Sequence, residues 1–159
     1  MTIRRVLIVA SLFVVLLLPS RASGQAVGFI AGGAVDPEQV YAGAFFESPP
    51  LAQRVRLRPG VDASRGGGLK VAAINLDFIF RGATPSGWQF YTGGGPSILF
   101  NRIDDRSDDA PSEVDEVTGG FVGLLGFSHR SGFLTEFKYG HTKYGPNLKI
   151  GAGWKFGTP

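Results

Sequence analysis

Apolar and polar residues alternate along most of the chain beyond residue 25. The clearest case is NLKIGAGWKF, residues 147–156. Leu148, Ile150, Ala152, Trp154 and Phe156 are apolar, whereas Lys149, Gly151, Gly153 and Lys155 are charged or lack a side chain. A period of two places alternate side chains on opposite faces of a strand. Seven more segments read the same way: 26–34, 40–47, 51–63, 70–81, 88–101, 120–129 and 132–143. In 70–81, Ala72, Ile74, Leu76, Phe78 and Phe80 share one face, and Asn75, Asp77 and Arg81 the other. No long stretch has apolar residues at helical spacing. The expected fold class is all-β.

The connections suggest how eight strands are arranged. SPPL, GATPSG and HRSG follow the second, fourth and sixth strands as short turns. GAVDPEQ, ASRGGG, residues 102–117 and KYGPN follow the odd strands and are mostly longer. Short turns at one end and longer loops at the other fit an eight-stranded antiparallel up-and-down transmembrane β-barrel, with both termini at the periplasmic end. Pro59 and Pro96 cannot donate to a ladder, so each is expected at a bulge or beyond the membrane band.

Alternation alone does not say which face looks inward. A lipocalin-like barrel turns its apolar face inward around a ligand. Three features favour the opposite arrangement. Gly43, Gly93, Gly95, Gly140, Gly151 and Gly153 crowd the polar face, where a narrow interior needs small residues. The same face carries Arg54, Arg56, Arg58, Arg81, Lys138, Lys149 and Lys155 with Glu47, Asp77 and Glu136, charges that can pair inside a lumen. Aromatic residues stand near strand ends at Trp88, Phe100, Phe127, Phe133, Trp154 and Phe156, as in the girdles of membrane barrels.

Composition bears on the first 24 residues. Met1–Arg5 carries two arginines, Val6–Pro19 is almost wholly apolar, and SRASGQA follows. This is the pattern of a secretory signal peptide cleaved after Gly24. The apolar run of 14 residues is shorter than the ~20 that span a bilayer as a helix. The expected mature domain is 25–159. The chain has 16 Lys and Arg against 13 Asp and Glu. Arg4, Arg5 and Arg21 leave with the leader, so the mature chain is neutral, and nothing points to a nucleic-acid partner. With no cysteine, disulfides and thiol ligands are excluded.

The pattern of eight alternating strands, with GGGPSILFNR leading into an acidic stretch and GFLTEFKYG before the last strand, resembles the small outer-membrane β-barrel proteins of the OmpA/OmpX type. KIGAGWKF is similar to the C-terminal assembly signal of that class, with Gly151, Trp154 and Phe156 as its marks. The resemblance implies recognition by the barrel assembly machinery. Members usually end on the aromatic residue, whereas GTP follows Phe156 here.

Candidate chemistry is sparse. Lipid A deacylases of this architecture combine His, Ser and Glu, and SHRSGFLTE offers His129, Ser131 and Glu136. Glu136 has the phase of the lumen face, and its spacing from Ser131 is closer than in those enzymes. Asp104, Asp105, Asp108, Asp109, Glu113, Asp115 and Glu116 form an acidic run whose oxygens suit calcium, without the spacing of an EF-hand. The expected function is a structural, envelope or surface-interaction role for a monomeric barrel in outer-membrane lipid, with a plugged lumen, no open pore, no cofactor and no catalytic or metal site. The competing readings are a secreted apolar-ligand binder and a lipid A hydrolase.

Overall fold

Alternation in sequence becomes alternation across a single curved sheet. The computed structural model describes residues 24–82, 87–105, 112–141 and 146–157, without the side chains of 103–105 and 112–115. Of the expected leader, all but Gly24 lies outside the described residues. Eight strands follow one another: β1 Ala26–Val35, β2 Gln39–Glu47, β3 Val55–Gly66, β4 Leu69–Arg81, β5 Trp88–Asp105, β6 Ser112–His129, β7 Phe133–His141 and β8 Leu148–Gly157. Each pairs antiparallel with the next, and β8 pairs with β1 to close a barrel. Closure gives every strand a neighbour on both sides, so none lies at a sheet edge.

The register sets the tilt. Ala26 faces Glu47, Arg58 faces Asp77, and Val122 faces both Gly95 and Gly140. The β2–β3 and β4–β5 registers supply the intervening steps, and Asn147 makes backbone hydrogen bonds with Gly140 and Asp36. The path therefore returns to the first strand's chain at Asp36, ten residues past Ala26. For eight strands ~4.8 Å apart with ~3.3 Å rise per residue, that stagger tilts the strands by about 40°.

The apolar face looks outward. On β4, Phe78 and Phe80 are 44% and 52% exposed, whereas Asn75, Asp77 and Ile79 between and beside them are buried. This is the reverse of a lipocalin-like arrangement. Three inward rings rest on glycines of other strands: Phe45 over Gly28, Tyr91 over Gly126 and Tyr41 over Gly151. A Cβ at any of these positions would strike the ring, so glycine on the polar face makes room for the lumen's large side chains.

Several boundaries differ from the sequence reading. Residues 51–54 belong to the turn before β3, which begins at Val55. The strand then runs on to Gly66, because Gly67 and Gly68 reverse the chain alone, with φ of 56° and 75°. Positive φ at both central residues is what a two-residue type I′ hairpin requires. Residues 102–105 and 112–117, expected in a long loop, are paired strand, with Asp105 opposite Ser112. The contrast of short turns and long loops is therefore not observed. The turn over 48–54 is longer than the β1–β2 and β3–β4 connections. It has its own hydrogen bonds, from Ser48 N to Leu57 O at 2.9 Å and from Leu57 N to Ser48 Oγ at 3.0 Å.

Neither proline sits at a bulge. Pairing of β2 with β3 stops at Phe45–Gly60, next to Pro59, while β3–β4 continues through Pro59–Leu76. Pairing of β4 with β5 lapses between Asn75–Ser97 and Phe78–Gly94, beside Pro96, while β5–β6 continues through Pro96–Phe121. Each proline interrupts one ladder, on the side where its missing N–H would donate, and the register is kept.

A Cβ at Gly153 would collide with the Phe29 carbonyl oxygen, and Ala152 beside it points outward and is exposed. Gly153→Leu is expected to abolish the folded form, and Ala152→Leu to preserve it. Refolding yield, read as the fraction of protein with shifted mobility on unheated SDS gels, distinguishes the two.

Candidate functional site in the charged lumen

The interior of an eight-stranded barrel is just wide enough for side chains to fill. Here buried hydrophobic side chains such as Ile30, Ile79, Leu99, Leu124 and Leu134 share it with a connected set of charges. β3 turns Arg56, Arg58, Asp62 and Ser64 inward, β4 Asn75 and Asp77, β7 Glu136 and Lys138, and β8 Lys149.

Arg58 is 2% exposed and lies between two rings, 4.8 Å from the Phe45 centroid and 5.8 Å from that of Tyr91. Its Nη1 donates to Glu136 Oε2 at 2.7 Å, and its Nη2 lies 3.5 Å from Asp77 Oδ2. The Tyr91 hydroxyl donates to the same Glu136 oxygen at 3.0 Å. The other Glu136 oxygen is 3.6 Å from Lys138 Nζ, which stands 4.0 Å from Asp62 Oδ2. Asp62 also accepts from Asn75 Nδ2 at 2.8 Å and pairs closely with Lys149, whose ammonium lies 5.4 Å from the Tyr41 ring centroid. Arg58, Lys138 and Lys149 thus answer Asp77, Glu136 and Asp62 in one connected chain across four strands. An unpaired charge at this depth would cost several kcal/mol, so the members hold one another in place.

A second group fills the end of the barrel where the described chain begins and ends, near Gly24 and Gly157. Glu47 pairs closely with Arg81, and Lys155 Nζ is 3.9 Å from the same carboxylate. Arg81 also donates to Gln89 Oε1 at 2.7 Å, and Arg56 donates to the carbonyls of Gly24 and Ser48. Arg81, Gln89, Trp154 and Lys155 border a cavity of about 440 Å³ at this mouth.

Arg54 does not join either group. It precedes β3, is exposed, and contributes its carbonyl oxygen to Arg81 N at 3.0 Å. Alternation holds only where the backbone is extended, and the turn breaks the phase before Val55. Asp62, in contrast, is central to the network and absent from the residues singled out in the sequence. Its signal was the inward phase it shares with Arg56 and Arg58. Tyr41 and Tyr91 carry the same signal opposite the outward Val40 and Phe90.

His129 and Ser131 do meet, with Nδ1 and Oγ 2.9 Å apart in the exposed β6–β7 turn. Glu136 is buried in the lumen and committed to Arg58 and Tyr91, so the three residues do not form a triad. A serine–histidine pair needs an orienting carboxylate to act in that way. Among the described residues, no cluster of His, Asp or Glu fits a metal ion. Residues 106–111 of the acidic run lie outside the described residues, as do the side chains of Asp104, Asp105, Glu113 and Asp115. On β8, Gly151 lies under Tyr41, while Trp154 and Phe156 face outward, Trp154 opposite Phe29 and Phe133.

No protein-family profile and no curated protein sequence matches the chain. Solved structures do. The N-terminal β-barrel domain of Pseudomonas aeruginosa OprF aligns with a TM-score of 0.58 at 16% identity, over 85% of this chain and 100% of that one. Neisserial surface protein A aligns with a TM-score of 0.56 at 14% identity, over 82% and 94%. The fold is that of the eight-stranded outer-membrane barrels. With so little identity, what is shared is the closed ring of eight strands.

Within this barrel, Arg58→Leu leaves Glu136 and Asp77 without their guanidinium and is expected to destabilise by about 3–5 kcal/mol. Arg54→Ala, at an exposed turn, should stay within about 0.5 kcal/mol of the parent. Urea unfolding of the protein in phospholipid vesicles, followed by tryptophan fluorescence, gives both values.

Proposed function

We propose that the chain is a monomeric outer-membrane barrel with a structural or surface-interaction role, and neither an enzyme nor an open pore. The observation that carries the reading is the height of its outward apolar belt. On β4, the outward face is apolar from Phe80 to Ala72 and reaches Lys70, ten residues from Phe80. At ~3.3 Å per residue and a tilt of about 40°, Phe80 to Ala72 rises roughly 20 Å and Phe80 to Lys70 roughly 25 Å, which brackets the lipid-facing band of membrane barrels. Aromatic rings gather at its end nearest Gly157. Trp88 meets Phe133 edge to face at 6.2 Å between centroids, Phe133 meets Trp154 at 6.3 Å, and Phe90 lies 5.4 Å from Phe127.

On this reading residues 1–24 direct export and are removed. The assembly machinery recognises the outward Trp154 and Phe156 with Gly151 on the last strand. The lumen network keeps the cylinder rigid and blocks passage. The OprF domain and Neisserial surface protein A, both outer-membrane barrels, support this placement by fold.

The expected behaviour is that of an integral protein. It should remain with membranes through carbonate washing and require detergent for release. Unheated in SDS it should run as a compact species and shift on boiling. Release by carbonate, with no heat shift, would contradict the reading.

A further inference from the structure

The two groups of lumen charges differ in their balance. In the deep network Arg58, Lys138 and Lys149 meet Asp77, Glu136 and Asp62, one carboxylate for each cation. The mouth near Gly24 and Gly157 is built from residues 24–26, 45–57, 79–82, 87–91, 127–134 and 153–157. These carry Arg54, Arg56, Arg81, Arg130 and Lys155 against Glu47 alone, and residues 83–86, ATPS, are uncharged. Glu47 is shared between Arg81 and Lys155, whose Nζ stands 3.9 Å away, beyond hydrogen-bond reach. Arg56 donates to neutral acceptors, the carbonyls of Gly24 and Ser48. Cleavage after Gly24, on the reading above, would take one of these acceptors away.

Space accompanies the surplus. Arg81 and Gln89 border two cavities. Arg130 and Lys155 line the larger, of about 440 Å³, and Arg54 and Arg56 the smaller, of about 250 Å³. No Asp or Glu is among the described residues that line either one. The larger has the volume of a small-molecule site. Arg56, Arg81 and Lys155 share the inward phase of Arg58, Asp77 and Lys149, so the barrel wall stands between them and the apolar belt. The acyl chains of a lipid held there would have to lie in the polar lumen.

Cations without matching carboxylates around open space call for an anion that answers several of them at once. A phosphate monoester carries nearly two negative charges and three acceptor oxygens. Guanidinium groups bind such oxygens through paired N–H donors, and an ammonium adds a point charge. We propose that this mouth binds a small soluble phosphate ester in its larger cavity, with Arg130 and Lys155 on the phosphate and Arg81 adding charge behind them. The inference rests on the membrane reading above, which turns this mouth toward the periplasm, and adds to it a class of ligand.

The chain's two tryptophans, Trp88 and Trp154, both line the larger cavity, so their fluorescence reports on it. The folded barrel in maltoside micelles and phosphate-free buffer is titrated with glucose 6-phosphate and, separately, with glucose. The parent protein should respond saturably to the ester and not to glucose. Arg130→Gln should weaken binding roughly tenfold, and Arg130→Gln with Lys155→Gln roughly a hundredfold. Arg65→Gln, at the far end of β3, should bind as the parent does. All three variants should keep the parent's heat shift on SDS gels. If the double variant does not fold, Arg130→Gln alone decides, because its side chain is exposed on a turn. A parent that responds equally to glucose would overturn the inference, as would parent-like affinity in the Arg130 variants. An equal loss in Arg65→Gln would also overturn it, by showing only an effect of net charge. So would displacement of the ester by phosphatidate at similar concentration, by indicating a site for lipid headgroups. A parent protein that stays monodisperse without detergent would remove the membrane reading and this inference together. A detergent-dependent parent that ignores the ester would remove only the inference.

Discussion

Charge inside a narrow closed ring is the constraint on which the rest of this structure depends. Eight strands enclose too little space for water to serve every polar side chain, so each charged group must find its partner within the wall. Arg58 is the clearest case. It is buried between the Phe45 and Tyr91 rings and held by Glu136 and Asp77. Asp77 stands opposite it on the neighbouring β4, whereas Glu136 comes from β7, far along the chain, and meets Arg58 only if the intervening strands keep register. The pairing at Arg58 is therefore also a check on ring closure.

The outward face follows from the same demand. Once the polar faces of β3, β4, β7 and β8 are turned inward, their apolar faces have nowhere to go but out. An exterior of Phe29, Phe80, Ile98, Phe121 and Ile150 is at odds with water and suited to a hydrocarbon layer. The glycines complete the arrangement. Tyr41 and Tyr91 fit in the lumen because Gly151 and Gly126 beneath them have no side chain.

Much of this was legible in the sequence, and the exceptions have physical causes. β4 and β8 were readable almost residue by residue, because each alternates without interruption along its paired length. The inward cations from Arg56 to Lys155 followed from that phase. Arg54 misled because RVRLR alternates before the strand begins, and sequence phase does not show where a turn ends. Asp62 escaped notice because Pro59 and Gly60 interrupt the segment that links it to Arg58. Connection lengths were misjudged where hairpins continue past the apolar belt. The pairing of 102–105 with 112–117 comes from one long ladder, and an acidic composition gives no hint of it. Each proline was expected at a bulge or beyond the membrane band, yet both stand beside Leu76, midway along the apolar face of β4. The barrel instead tolerates a gap in one ladder at each, because the neighbouring ladder on the other side is intact.

The account turns on which face of each strand meets lipid, and β4 offers the most direct measurement. The chain has no cysteine, so single cysteines can be placed one at a time from Ala72 to Phe80 and spin-labelled. Collision rates with oxygen, which concentrates in lipid, and with a water-soluble nickel complex would then be compared in vesicles. The account predicts a period of two, with labels at 72, 74, 76, 78 and 80 favouring oxygen and those at 73, 75, 77 and 79 shielded from both or unable to fold. Oxygen access that does not alternate, or that peaks at the odd positions, would contradict it.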